Sequence, residues 1–225
     1  MITFIIPSIG RDTLIYTIES LLNQTKPDWN AIIILDGITI NSLNSNIMSL
    51  LDDKRFTVHE IEKKGLNINS AGNVRNYGMS LIENTQWIAF LDDDDTIACD
   101  YIEIFKNELL IYPFIDVYIY RMINNDHRII PKLDALNFEI CDVGISFIIK
   151  YDIFKNGLEF EPDGAEDFLY LNKIRNAGYK MMISPYIKYY VRNFEYNVDN
   201  IGKRGFINIF NSLLTFMGYF FIVQD

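Results

Sequence analysis

Apolar and polar positions follow two rhythms along this chain, and residues 1–110 switch between them in regular order. Thr3 to Pro7 is a short, β-rich apolar run stopped by Pro7 and Gly10. Asp12 and Thr13 are suited to cap a helix. Leu14, Ile18, Leu21 and Leu22 then recur at helical spacing through Asn23. Trp29 to Leu35 is continuously apolar, the pattern of a parallel strand buried on both faces. Asp36-Gly37 ends it with a turn signal. Ile47 to Leu51 predicts a helix and Phe56 to Ile61 a strand. Asn69 to Ile82 predicts a helix with Ser70 and Gly72 near its start. Trp87 to Leu91 is a third buried strand, and Tyr101 to Leu110 is helical. Strand alternating with helix implies a parallel, right-handed, doubly wound half.

The alternation stops after that. Val117 to Arg121, Arg128 to Ile130 and Ile145 to Ile149 read as strands of a mixed sheet. Asp167 to Ala177 predicts a helix closed by Gly178 in the C-terminal capping place. Tyr179 to Ile183 and Ile187 to Val191 are two further strands. No repeat, low-complexity stretch or Pro/Gly-rich linker divides the chain, so residues 1–200 read as one α/β domain. Residues 201–225 form an apolar tail, with Lys203-Arg204 before Phe206 to Val223. Asn208, Asn211, Ser212 and Thr215 interrupt it, whereas a membrane span needs about 20 predominantly apolar residues. A helix docked on the domain ranks first, an interfacial helix second and a span last.

Composition narrows the function more than the fold. At 225 residues, 49% hydrophobic and 22% charged, the chain can bury an ordinary core. A formal charge of -10 with no basic run argues against nucleic acid as a partner. Cys99 and Cys141 cannot make a disulfide framework or a four-thiolate zinc site, and a reducing compartment is expected. The opening Met1 to Pro7 lacks a basic n-region, and a cytoplasmic protein is expected, with membrane association left to the tail. Heavy use of Ile and Asn with little Ala fits an AT-rich genome, viral or microbial.

In open α/β sheets, ligands bind beyond the carboxyl ends of the strands. Three such ends carry polar residues: Pro7 to Arg11, Asp36-Gly37, and Asp92-Asp93-Asp94-Asp95. Four adjacent carboxylates repel one another, and a hard divalent cation would offset that repulsion. A solvated acidic loop is the plainer alternative, but the position directly after a buried strand favours metal.

These segments together resemble a glycosyltransferase of family two. The resemblance rests on Phe4-Ile-Ile-Pro-Ser8, Ile18 to Thr25, Ile32-Ile-Ile-Leu-Asp-Gly37, Ser70 to Gly78, Trp87 to Asp95 and Gly164 to Tyr179, in that order. It implies a GT-A fold, with a Rossmann-like, mostly parallel central sheet flanked by helices, a small mixed β extension and a C-terminal helix. It also implies a metal-dependent, inverting transfer from a nucleotide sugar, UDP-sugar first, to a glycan or other acceptor hydroxyl. Pro7, Ser8 and Ile9 would line the base pocket, and Asp36 would sit beside the base. Asp92 and Asp93 would contact the nucleotide sugar. Asp94 would hold Mn²⁺ or Mg²⁺ through the Asp-X-Asp signature, with Asp95 the alternative register. Arg75 would lie near the nucleotide, against the alternative of an exposed surface arginine. Asp167 would be the general base and Glu166 would orient the acceptor or assist. Where many members carry a His, this chain has Arg192 and Asn193. Tyr118, Tyr120, Tyr151, Phe160 and Tyr170 are candidate sugar-stacking rings, with core the better expectation for most. A nucleotidyltransferase and an inactive sugar- or nucleotide-binding module are the competing readings. Peripheral membrane contact or dimerisation is expected of the tail.

Overall fold

The computed structural model describes residues 1–63, 70–124, 126–162, 164–191 and 221–222. In chain order the elements are β1 (Ile2–Ser8), α1 (Leu14–Leu22), β2 (Trp29–Asp36), a 3-10 turn (Ile40–Ser42), α2 (Ser45–Leu50), β3 (Phe56–Ile61), α3 (Ala71–Ser80), β4 (Trp87–Phe90), β5 (Thr96–Ile97), α4 (Tyr101–Ile111), β6 (Val117–Ile123), β7 (Ile129–Ile130), β8 (Phe147–Lys150), α5 (Tyr151–Lys155), α6 (Glu166–Asn176), β9 (Met181–Tyr190) and β10 (Phe221–Ile222).

One curled sheet runs in the order β10-β9-β6-β8-β4-β1-β2-β3. Its first half, β3-β2-β1-β4, is entirely parallel. The apolar runs read from the sequence explain why, since β2 and β4 are buried along nearly their whole length and only covering helices can bury both faces of a sheet. α3 comes close enough to contribute to that cover. A Cβ on Gly78 would stand 2.6 Å from Ile34 Cδ1 and 2.8 Å from Ile5 Cγ2, so only glycine lets this helix approach β1 and β2 so closely.

The other half is mixed: β8 is antiparallel to both β4 and β6, while β6 and β9 run parallel. Its core is aromatic. Trp87 meets Phe105 and Tyr118 edge-on, and Phe160 stacks on Tyr170 at 3.9 Å between centroids. Tyr118, Tyr120, Phe160 and Tyr170 are buried in this core and are not surfaces for a sugar ring. Tyr151 is half-buried and its hydroxyl donates to the Ile82 carbonyl.

Several expectations change in detail. The two strands foreseen at Tyr179 to Ile183 and Ile187 to Val191 are one strand, β9, running through Pro185. Register shifts against β6 between Ile119 and Met122 absorb the irregularity. Thr13 occupies the N-cap of α1 but makes no capping hydrogen bond, and its hydroxyl is buried without a partner. α5 and β5, too short to show a period, were not foreseen. The expected C-terminal helix lies outside the described residues except at Phe221–Ile222, which pair antiparallel with β9 rather than continue a helix. Arg192 and Asn193 also lie outside the described residues. Among the described residues no helix is long and apolar enough to cross a membrane.

Candidate active site

β1 sits between β2 and β4; the chain runs outward from β1 to β2 and β3 and then crosses back to β4 on the other side, so a crevice opens at the carboxyl end of β1. The parallel register, Ile2 beside Trp87 through Ile5 beside Phe90, carries the two strand ends forward together. Residues Ser8 to Arg11 therefore meet the acidic run that follows β4. A cleft of about 410 Å³ lies there, lined by Pro7, Ser8, Ile9, Arg11, Asp36 and Lys63 on one side and by Ala71, Val74 and Asp92 to Asp94 on the other. All the residues expected to bind the nucleotide line this cleft except Arg75, which lies one position beyond Val74 on α3.

The four aspartates do not form an uncompensated repelling cluster, because each carboxylate has a partner: Arg75 for Asp92, Arg11 for Asp93 and Asp94, and Tyr189 for Asp95. Asp92 accepts from Arg75 at 2.6 Å. Asp93 is buried; its Oδ2 accepts from the Ser8 hydroxyl at 2.7 Å and the Ile9 amide at 3.2 Å, and its Oδ1 from Arg11 at 2.9 Å. Burial raises the pKa of Asp93 from its ordinary value, against the lowering pull of Ser8 and Arg11. Asp94 lies 3.3 Å from the same Arg11 guanidinium. Asp95 is buried beside Tyr189, whose hydroxyl bonds its carboxylate and accepts from the Asp92 amide at 3.2 Å. Thr17 on α1 donates to the carbonyls of Asp92 and Asp95 and holds the turn. Arg11, Arg75, Thr17 and Tyr189 give this acidic run a structural use.

Arg75 is the centre of the arrangement and is 2% exposed, which excludes the surface-arginine alternative. One terminal nitrogen reaches Asp92, and the other donates to Glu166 at 2.6 Å and lies 3.5 Å from Asp167. Burial by itself would lower its pKa, but the three carboxylates outweigh that and hold it well above the ordinary value. α3 aims the side chain correctly because Ser70 caps the helix, accepting from the Asn73 amide. The Gly72 amide, in the first turn, donates to Glu166 Oε2 at 2.9 Å. A side chain on Gly72 would meet Glu166 Oε2 and Phe160 Cβ, each at 2.8 Å.

Glu166 and Asp167 begin α6, as foreseen, where acidic residues suit the helix dipole. Asp167 is less fully engaged than Glu166. Burial pushes its pKa up to about 6; Arg75 pulls it down, and Asp92 and Glu166 push it further up. It is therefore a carboxylate with raised proton affinity beside a cleft, a combination suited to proton abstraction.

The sequence places Arg11 at a ligand-binding strand end but gives it no carboxylate partner, and it marks neither Tyr189 as a support of the acidic loop nor Gly72 as a donor to Glu166. The contacts concerned span 82 to 97 positions, and no local pattern encodes such partners. Among the described residues no group of three or more His, Cys, Asp or Glu is gathered to hold a metal ion. A cation sharing its shell with substrate phosphates needs only one or two carboxylates. Asp94, on the cleft wall, fits that smaller requirement.

The fold is a half-parallel α/β sheet with a cleft at the carboxyl ends of β1 and β4. The model of Glycosyl transferase family 2 matches residues 3–140, and the chain belongs to that family. Solved GT-A structures agree on the fold. The 1–349 fragment of S. aureus TarS superposes with a TM-score of 0.67 at 18% identity, covering 85% of this chain and 60% of that one. The same fragment in complex with UDP-GlcNAc gives 0.68 at 18% identity, covering 87% and 59%. The mannosyltransferase PcManGT from Pyrobaculum calidifontis, in complex with GDP-Man and Mn²⁺, gives 0.65 at 15% identity, covering 87% and 58%. This chain thus spans about 60% of the length of the TarS fragment it matches. A comparison with curated proteins finds no match.

Proposed function

We propose that the protein is an inverting glycosyltransferase that moves a sugar from a nucleotide-sugar donor, a UDP-sugar first, to a hydroxyl of a glycan acceptor. The observation that carries this is Arg75, which joins the donor-side carboxylate Asp92 to the Glu166–Asp167 pair across two helices. A donor-sized cleft and a carboxylate of raised proton affinity are thereby brought side by side. Family membership and the nucleotide-sugar complexes of TarS and PcManGT support the same reading.

In this reading the base lies among Pro7, Ser8, Ile9 and Asp36, with Ile9 giving an apolar contact, and Asp92 holds the sugar nucleotide beside Arg75. Asp93, fully engaged by Ser8, Ile9 and Arg11, shapes the floor of the pocket. Asp167 takes the proton from the acceptor hydroxyl as it attacks the anomeric carbon. One direct displacement inverts that carbon. Mn²⁺ or Mg²⁺ held through Asp94 would supply positive charge against the departing diphosphate. Residues 1–200 form the catalytic unit, and the tail serves membrane contact or pairing of two copies.

Thermal melting tests the donor reading. UDP with Mn²⁺ should raise the melting temperature more than either alone, and Asp94→Ala should remove the metal-dependent part. A protein that UDP does not stabilise, with or without Mn²⁺, would refute it.

A further inference from the structure

The geometry points to Glu166 as a positioning residue that fixes Arg75 between Asp92 and Asp167 and, through Arg75, sets the proton affinity of Asp167. The inference rests on the reading of Asp167 as the base and assigns its neighbour a different task from orienting the acceptor. Both Glu166 oxygens already serve protein donors: Oε1 takes the Arg75 fork at 2.6 Å and Oε2 the Gly72 amide at 2.9 Å. Both donors lie on α3, so Glu166 clasps α3 to α6. The approach is tight, because a Cβ at Gly72 would stand 2.8 Å from that carboxylate. Arg75 is held from both ends, with Asp92 at 2.6 Å on its other nitrogen. Asp167 receives only the remaining reach of the guanidinium, 3.5 Å away.

The groups that face Asp167 can be counted element by element among the described residues. α3 presents Arg75, the loop after β4 presents Asp92, and α6 itself presents Glu166. The β6–β8 side contributes Gly144, where a Cβ would lie 4.0 Å from Asp167 Oδ2, with Met122 behind it; neither titrates. Asp167 is thus set by one cation and two anions. Removing the Glu166 charge takes away one anion and frees the cation to move closer, and both changes lower the proton affinity of Asp167. Shortening the cation to lysine has the opposite effect, because an ammonium cannot span Asp92 and the α6 pair as the fork does.

The test follows the Asp167 carboxyl directly by carbon-13 NMR titration, alongside the pH dependence of UDP-GlcNAc hydrolysis. In Glu166→Gln the Asp167 titration and the acid limb of hydrolysis should move down by about one pH unit. In Arg75→Lys both should move up. Unmoved Asp167 titration in both variants overturns the inference, and if Glu166→Gln does not fold, Arg75→Lys decides alone. Hydrolysis lost at every pH in Glu166→Gln, with the Asp167 titration unmoved, also overturns it and makes Glu166 a group acting on substrate. A wild-type protein that hydrolyses no nucleotide sugar would refute the proposed function, yet the NMR titrations would still decide the positioning claim.

Discussion

Arg75 and Arg121 are 2% and 0% exposed, and they are buried against opposite kinds of partner. Arg75 meets three carboxylates. Arg121 donates to the backbone carbonyls of Lys132, Leu133 and Ser184. Carbonyls satisfy hydrogen bonds without neutralising charge. Burial accordingly lowers the Arg121 pKa to about 10, opposed by the charges of Asp134 and Glu108, whereas Arg75 is held above its ordinary value. Glu108, close to Arg121, accepts from the Tyr120 and Ser184 hydroxyls, and burial pushes it up to about 7. One buried polar group ties α4, β6 and β9 together inside the core; the other borders the cleft at the carboxyl ends of β1 and β4. Buried charge with shifted proton affinity is therefore no mark of a site by itself. Position at the sheet's carboxyl edge separates the two.

Substitutions should separate them further. The largest effect is expected at the cleft: Asp167→Asn should lower turnover by about 10²- to 10⁴-fold while stabilisation by UDP persists. Loss of both together would remove Asp167 from the role of base. In the core, Arg121→Met should cost about 3 kcal/mol or more in chemical denaturation, with turnover per folded molecule preserved. If turnover fell while stability held, the roles assigned to the two arginines would be reversed.

Glu108→Gln should act through pH. The folded-state value of Glu108, about 7, lies above its ordinary 4.5, so the folded protein binds more protons between these values. Its contribution to stability is present below about 4.5 and is lost as pH rises towards 7. The variant should therefore gain on wild type as pH rises through that window, by up to about 3 kcal/mol at pH 8. Equal pH dependence of melting in the two proteins would contradict the assignment. The smallest effect is expected at Ser70→Ala, which removes the cap of the helix bearing Arg75 and should cost about 1 kcal/mol. A loss within error would mean that the Asn73 amide finds another acceptor.

The same contrast explains what could be read from the sequence. Trp29 to Leu35 and Trp87 to Leu91 were legible as strands because a strand buried on both faces needs apolar residues throughout, a local requirement. Glu166-Asp167 was legible as a helix start for the same reason, since the dipole is felt within one turn. The neutralisation of Asp92 to Asp95 was not legible. The partner of Asp93 is Arg11, 82 positions earlier, brought close only because β1 and β4 pair in parallel. A solitary run of carboxylates suggested a cation, and the chain turns out to bring two of its own. Arg121 lies within an ordinary strand pattern, and nothing local announces that two carbonyls at Lys132 and Leu133 and a third from β9 at Ser184 converge on it. The Pro185 break within β9 misled because an irregular register on β6 accommodates it.

The pH dependence of UDP release from a nucleotide sugar, with Mn²⁺ present, tests most directly the claim that the cleft and the Asp167 carboxylate work as one site. A base must be ionised, and burial pushes the Asp167 carboxyl up to about 6, so turnover should rise through that pH and level off above it, and the rise should vanish in Asp167→Asn. A rate that is flat between about pH 5 and 8, or a rise that survives in Asp167→Asn, would contradict it.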